Sequence, residues 1–231
     1  MKKIAIVCVI GASVWGVNAN AGFGSLSGLA SQLTEATTGV SSQNMDLTGF
    51  LKQAQATNKM FLQSRTSLAT LFAERKDAEE LKTKLNSLKT TSNVKEKEAI
   101  QKQITQLTDD VLAASNADEA ATVEKINALN SSQKQQLVKS MTNFALAGLT
   151  ARELVLNGKG ISTQLMSNPT ALTDTGLTLT DAKTLYSDVS GIAKNSTMAL
   201  VEYPKLLKKA GVEFKVPEST ATKPQDISAF L

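Results

Sequence analysis

Any catalysis by this 231-residue chain would have to rest on carboxylates, hydroxyls and amines, because it contains no histidine and a single cysteine, Cys8. Three pairs of adjacent acids stand out: Glu79-Glu80, Asp109-Asp110 and Asp118-Glu119. Converging carboxylates hold metal ions or supply the acid and base of a glycosidase. Neighbours on a helix point about 100° apart, so these pairs diverge and read as surface acids. No calcium-loop spacing is present. A histidine-activated nucleophile is excluded, and no Ser-x-x-Lys lies in a convincing context: Ser132 is followed by Gln133-Lys134, and Ser187 lacks the spacing. Asn157-Gly158-Lys159-Gly160 lacks the full spacing of a phosphate loop and reads as a helix C-cap. A carboxylate-dependent cell-wall hydrolase would also need an aromatic-lined saccharide groove, and the chain offers seven Phe and two Tyr. The residues therefore predict no catalytic, metal-binding or cofactor-binding site, and a non-enzymatic protein; the cell-wall hydrolase stands as one alternative.

The chain also carries a mark for chemistry done to it. Lys2 and Lys3 precede an apolar run from Ile4 to Val17, which ends at Ala19-Asn20-Ala21. Charged start, apolar core and small residues at the two positions a signal peptidase reads make 1–21 a secretory signal peptide of bacterial type. Cleavage is expected between Ala21 and Gly22. It would remove Cys8 and Trp15, and deliver the product to the periplasm or outside the cell. With 25 basic and 21 acidic residues the chain is formally +4, and without Lys2 and Lys3 it is +2. Near-neutrality argues against nucleic acid as a partner. Past the signal peptide no apolar run approaches the ~20 residues of a membrane span. The longest is Phe144-Ala-Leu-Ala-Gly-Leu149.

The elements follow from apolar periodicity. Residues 22–45 read as a flexible N-terminal arm, with one short amphipathic stretch at Leu26, Leu29, Ala30 and Leu33. Asp46 is a candidate N-cap for a helix whose seam runs Leu47, Leu51, Ala54, Asn58, Phe61, Arg65, Leu68, Phe72. Asn58 and Arg65, the polar members, read as sitting at a bundle edge. The seam changes phase after Phe72. With no Gly or Pro to break it, the helix is expected to continue to Leu88 through Leu81 and Leu85. A turn at 90–93 and the stripe Ile100, Ile104, Leu107, Val111 complete a helical hairpin over about 78–112, lysine-rich on its outer surface. After a break at 115–118 and a short helix comes a second long helix, with a capping box at Ser132 and Gln135 and an apolar face broad enough to predict the most buried helix. Ile161 to Met166 read as one or two further turns. A third long helix is capped by Thr180, striped by Ala182, Leu185, Val189, Ile192, Ser196, Ala199, Tyr203 and Leu206, kinked or restarted in a new turn at Pro204 and ended by Gly211.

The fold class is all-α: an elongated up-and-down helical bundle over 46–211, with the hairpin arm and a flexible C-terminal tail over 212–231. Val212-Glu-Phe-Lys-Val216 alternates like a lone strand, and the chain ends on an apolar tip. Val212, Phe214, Val216, Phe230 and Leu231 are therefore the candidate partner contacts. The functional expectation is an exported protein acting through protein–protein contacts with unidentified partners: a periplasmic adaptor, a chaperone-like factor or an accessory of an envelope or secretion system. A secreted helical-bundle toxin or pore component is the other alternative. Helix seams close within one chain or between copies, so a homo-oligomer is compatible with the pattern.

Overall fold

A computed structural model describes residues 47–91, 93–158, 160–161, 172 and 178–231. Outside these lie the expected signal peptide with Ala19, Ala21 and Gly22, the 22–45 arm, the Asp46 cap, and the turns and loop expected between 162 and 177. Among the described residues seven α-helices follow in order: α1 Leu47–Phe72, α2 Arg75–Thr90, α3 Val94–Ala117, α4 Glu119–Ala128, α5 Ser131–Asn157, α6 Leu179–Thr197 and, after a π-helical turn at Met198–Glu202, α7 Tyr203–Lys209. The all-α bundle expected from the periodicity is what forms, with no strand among the described residues.

Cross-helix pairs fix the topology. Ser67 meets Ser140 with hydroxyls 2.7 Å apart, and Phe61 meets Phe144 with ring centroids at 5.3 Å, so α5 runs antiparallel to α1. Phe50 lies against Tyr186 at 5.9 Å and Phe72 against Tyr203 at 6.4 Å, so α6 and α7 run parallel to α1. Arg65 pairs with Asp109 at 2.7 Å and Thr66 with Thr108 at 3.4 Å, which lays α3 beside α1. The hairpin is thus folded back onto the bundle as a further layer, with its turn at the end where α1 begins.

The helix breaks at Ala73-Glu74, where one continuous helix was expected. Glu74 is extended (φ −63°, ψ 157°). The ammonium of Lys125 in α4 donates to the Phe72 carbonyl at 2.9 Å and to the Glu74 carboxylate at 2.6 Å. A cation on the terminal carbonyls of α1 makes a stop without Gly or Pro, and the break lets each apolar stripe face its own partner. The caps also differ in detail. Asn130 with Gln133 and Thr178 with Asp181 form complete capping boxes, each two residues ahead of the expected Ser132 and Thr180.

The most buried helix is α1 rather than α5, with 17 of 26 residues buried against 13 of 27. Asn58 is buried and donates to Asp188 at 3.3 Å, and Arg65 is half-buried, so neither sits at a bundle edge. In α5 the row through Leu137, Met141, Phe144, Gly148 and Ala151 is buried, whereas Leu156 of the neighbouring row is 65 % exposed. Gly148 permits close approach: a Cβ there would lie 3.0 Å from that of Ser196. Every position of the expected α6–α7 stripe is buried. Pro204, which has no N–H to give, follows the π turn, where the Tyr203 N–H reaches back five residues to Met198.

Gly211, at φ +67°, closes α7 in a Schellman motif: Val212 N–H bonds to the Leu207 carbonyl at 2.9 Å and Gly211 N–H to that of Lys208 at 3.1 Å. Residues 212–216 form no strand, and Val212, Phe214 and Val216 are half-buried while Glu213 and Lys215 are exposed. The expected flexible tail is instead laid down on the bundle. Asn143 clamps its backbone, donating to the Gln225 carbonyl at 2.8 Å and accepting from the Gln225 N–H at 2.7 Å. Ile227 is fully buried just beyond.

Candidate functional site

Each acid of the three sequence pairs has a separate structural employment. Glu79 pairs with Arg75 at 3.0 Å and Glu80 with Lys84 at 3.2 Å. Asp110 accepts from Gln106 at 3.0 Å, and Asp118 caps α4 by accepting from the Ala121 N–H at 3.0 Å. Glu119 pairs with Lys209. Among the described residues no group of three or more acids, Cys or His is placed to hold a metal ion.

Asp109 departs from the surface reading, because its carboxylate turns in toward Arg65. Burial raises the Asp109 carboxyl above its ordinary range, against the pull of the guanidinium. Arg65 also lies over the Phe61 ring, 5.3 Å from its centroid. Nearby, Tyr203 is 2 % exposed, stacked on Phe72 and met edge-on by Phe144 at 6.0 Å. Burial pushes the Tyr203 phenol up to about 12, opposed by the Arg65 charge, and its hydroxyl meets no hydrogen-bond partner among the described residues. Strong perturbation of titratable groups marks functional sites and structural ion-pair networks alike. Here the groups come from α1, α3 and α7 and face one another, so the arrangement locks three helices in register.

A surface groove offers more to a partner. At the corner between α4 and α5, Leu129, Ser131, Lys134, Gln135, Val138 and Lys139 line an open cavity of about 560 Å³. Leu129 and Val138 give its lining apolar surface, Lys134 and Lys139 give it positive charge, and no carboxylate lines it. Ser131 and Lys134 have the Ser-x-x-Lys spacing, but no hydrogen bond joins them among the described residues. The C-terminal tail abuts this corner: the Lys139 ammonium lies 5.9 Å from the centroid of the Phe230 ring.

Of the five expected partner contacts, Phe230 reaches the groove, through Lys139. Val212, Phe214, Phe230 and Leu231 are partly buried and packed against the core, and Val216 is half-buried. Sequence reasoning missed the groove because Val138 lies on the broad apolar face of α5, which reads as core; the lysines flanking it, Lys134 and Lys139, were the available sign of a surface. The chain matches no protein-family model, no curated protein and no solved structure.

Proposed function

We propose that this chain is an exported, non-enzymatic helical-bundle protein that acts through protein–protein contacts, as a periplasmic adaptor, a chaperone-like factor or an accessory of an envelope or secretion system. Export rests on the Lys2-Lys3 start, the Ile4–Val17 run and Ala19-Asn20-Ala21. The observation that carries the contact reading is the α4–α5 groove, lined by apolar side chains and lysines. Its charge and shape suit an amphipathic segment that puts apolar side chains on Leu129 and Val138 and carboxylates toward Lys134 and Lys139.

The test is a photo-cross-linking residue at Gln135, introduced into the protein in its native cell. One discrete adduct is expected, and it should vanish when Lys134 and Lys139 are both replaced by Glu. A bound acidic segment would then meet like charge, which costs several kcal/mol. An adduct pattern indifferent to this reversal, or no adduct at all, refutes the reading.

A further inference from the structure

The net charge of the chain is concentrated in one place. Residues 81–103, the distal part of the α2–α3 hairpin, hold six lysines (Lys82, Lys84, Lys89, Lys95, Lys97 and Lys102) against Glu96 and Glu98, a net +4. The whole chain is also +4, so the remainder balances to zero. The base of the same hairpin is mixed, with Arg75 and Lys76 beside Asp77, Glu79 and Glu80. A balanced solvated surface would intersperse the two signs. Here they are separated along the hairpin, with the positive part at its turn.

The lysines are available. Lys84 is engaged by Glu80 at 3.2 Å and donates to Gln103 at 2.9 Å. Lys82, Lys89, Lys95 and Lys102 are exposed, and none forms an ion pair among the described residues. Glu96 is partly occupied, accepting from the Thr91 hydroxyl at 2.7 Å. Lys82 and Lys89 are seven residues apart on α2, and Lys95 and Lys102 are seven apart on α3, so each pair sits about two turns apart on one helix face. Beneath them Leu81, Leu85, Leu88 and Ile104 are buried and hold the two helices together. The bundle end that carries this turn also leaves Leu156 exposed, in the last turn of α5.

We propose that this end of the bundle is a docking face for an anionic phospholipid membrane, which it adsorbs to through the hairpin lysines without inserting a span. The residue types choose the partner. All six cations are lysine, a point charge suited to a diffuse layer of lipid phosphates, and none is arginine, whose planar fork reads individual phosphates and bases. No aromatic side chain occurs from 73 to 143, so there is no platform on which nucleic-acid bases would stack. No helix among the described residues is long and apolar enough to cross a membrane, in keeping with adsorption alone.

The experiment is co-sedimentation of the chain from Gly22 onward with vesicles of phosphatidylcholine alone or mixed with phosphatidylglycerol, at low and high salt. Binding is expected only with phosphatidylglycerol and should be lost at high salt. Each lysine near such a surface contributes about fivefold, so Lys95→Gln with Lys102→Gln should weaken binding about 25-fold. Adding Lys82→Gln, Lys89→Gln and Lys97→Gln should abolish it. These side chains are solvent-facing or half-exposed, and circular dichroism checks that the variants stay helical; the double variant serves if the quintuple one does not. A control with Lys205→Gln and Lys208→Gln, at the opposite end, should bind as the unaltered protein does. Equal binding to both vesicle types, no binding to either, or equal losses in the control overturns the proposal. So does lysine-dependent binding to an RNA duplex with no binding to vesicles.

Discussion

Tyr203 gives the sharpest test of the packing, because its phenol is buried where three helices meet. Its ring stacks on Phe72 within 6° of parallel and meets Phe144 at 73°, and its pKa stands at about 12 against an ordinary 10. Burial is the main cause, since a phenolate there loses its hydration. The sign follows. Between pH 10 and about 12 the unfolded chain has released this proton and the folded chain has not, so stability falls as pH rises through that window. Two pH units correspond to about 2–3 kcal/mol, a large fraction of the roughly 5–15 kcal/mol typical of a domain. Tyr203→Phe keeps the ring contacts and removes the titration. The comparison is urea unfolding of the tyrosine and phenylalanine proteins at a series of alkaline pH values. Below pH 10 the difference should be constant, with the phenylalanine protein at least as stable, because the buried Tyr203 hydroxyl meets no hydrogen-bond partner among the described residues. By pH 12 the balance should have moved by about 2 kcal/mol in favour of the phenylalanine variant. Subtracting one curve from the other removes the titration of lysines common to both. Tyr186→Phe, which leaves Tyr203 as the only phenol, allows tyrosinate absorbance to follow the same proton directly. Parallel stability curves up to pH 12, or half-ionisation near 10, would refute burial as the dominant cause.

Two more outcomes follow from particular contacts. Asn143→Ala removes both hydrogen bonds to the Gln225 backbone; at ~0.5–1.5 kcal/mol each, amide exchange at Gln225 should quicken by about 5- to 150-fold, and unchanged exchange would show that Ile227 alone holds the tail. Gly148→Leu should destabilise the bundle by about 1–3 kcal/mol, since even its Cβ would lie 3.0 Å from that of Ser196, whereas Gly191→Ala on α6 meets nothing within 4 Å and should stabilise by about 0.5–1 kcal/mol; thermal melts of the two variants moving in the same direction would contradict the helix contacts described.

Legibility from the sequence divides along a physical line. The α6–α7 stripe was readable at every position because its buried members, apart from Ser196, are apolar or aromatic and recur at helical spacing. The central position of α1 was not, because seven of its 17 buried residues are polar: Gln53, Thr57, Asn58, Gln63, Ser64, Thr66 and Ser67. A buried hydroxyl leaves no trace in an apolar pattern, since it satisfies itself locally. Thr57 donates to the Gln53 carbonyl at 2.8 Å and Ser64 to that of Met60 at 2.5 Å. The break at Ala73-Glu74 was hidden for another reason: its cause, Lys125, lies in a helix 53 residues beyond Phe72. The docked tail likewise depends on Asn143, 82 residues from Gln225. The groove needed the corner between α4 and α5 to bring Leu129 next to Val138.

The polar interior of α1 also bears on why this bundle has one structure. Seams of Ala and Leu tolerate a slip of one helix past another with little loss, and a single cysteine can make no disulfide within the chain to prevent it. Between α1 and α5, Gln136 donates to the Ser67 carbonyl at 3.3 Å, to its hydroxyl at 3.1 Å and to Thr70 at 3.2 Å, while Ser67 and Ser140 share a hydrogen bond. Formed, such bonds contribute only about 1 kcal/mol each, but broken in a buried slip they leave groups whose desolvation costs about 1–3 kcal/mol apiece. Between α1 and α3 the Arg65–Asp109 pair acts in the same way, since a register shift would strand a buried charge. The polar residues therefore add little to the depth of the native state and much to its separation from shifted alternatives. The hairpin turn and the α4–α5 groove are then held in fixed positions on the bundle, which a contact-making role for either one requires.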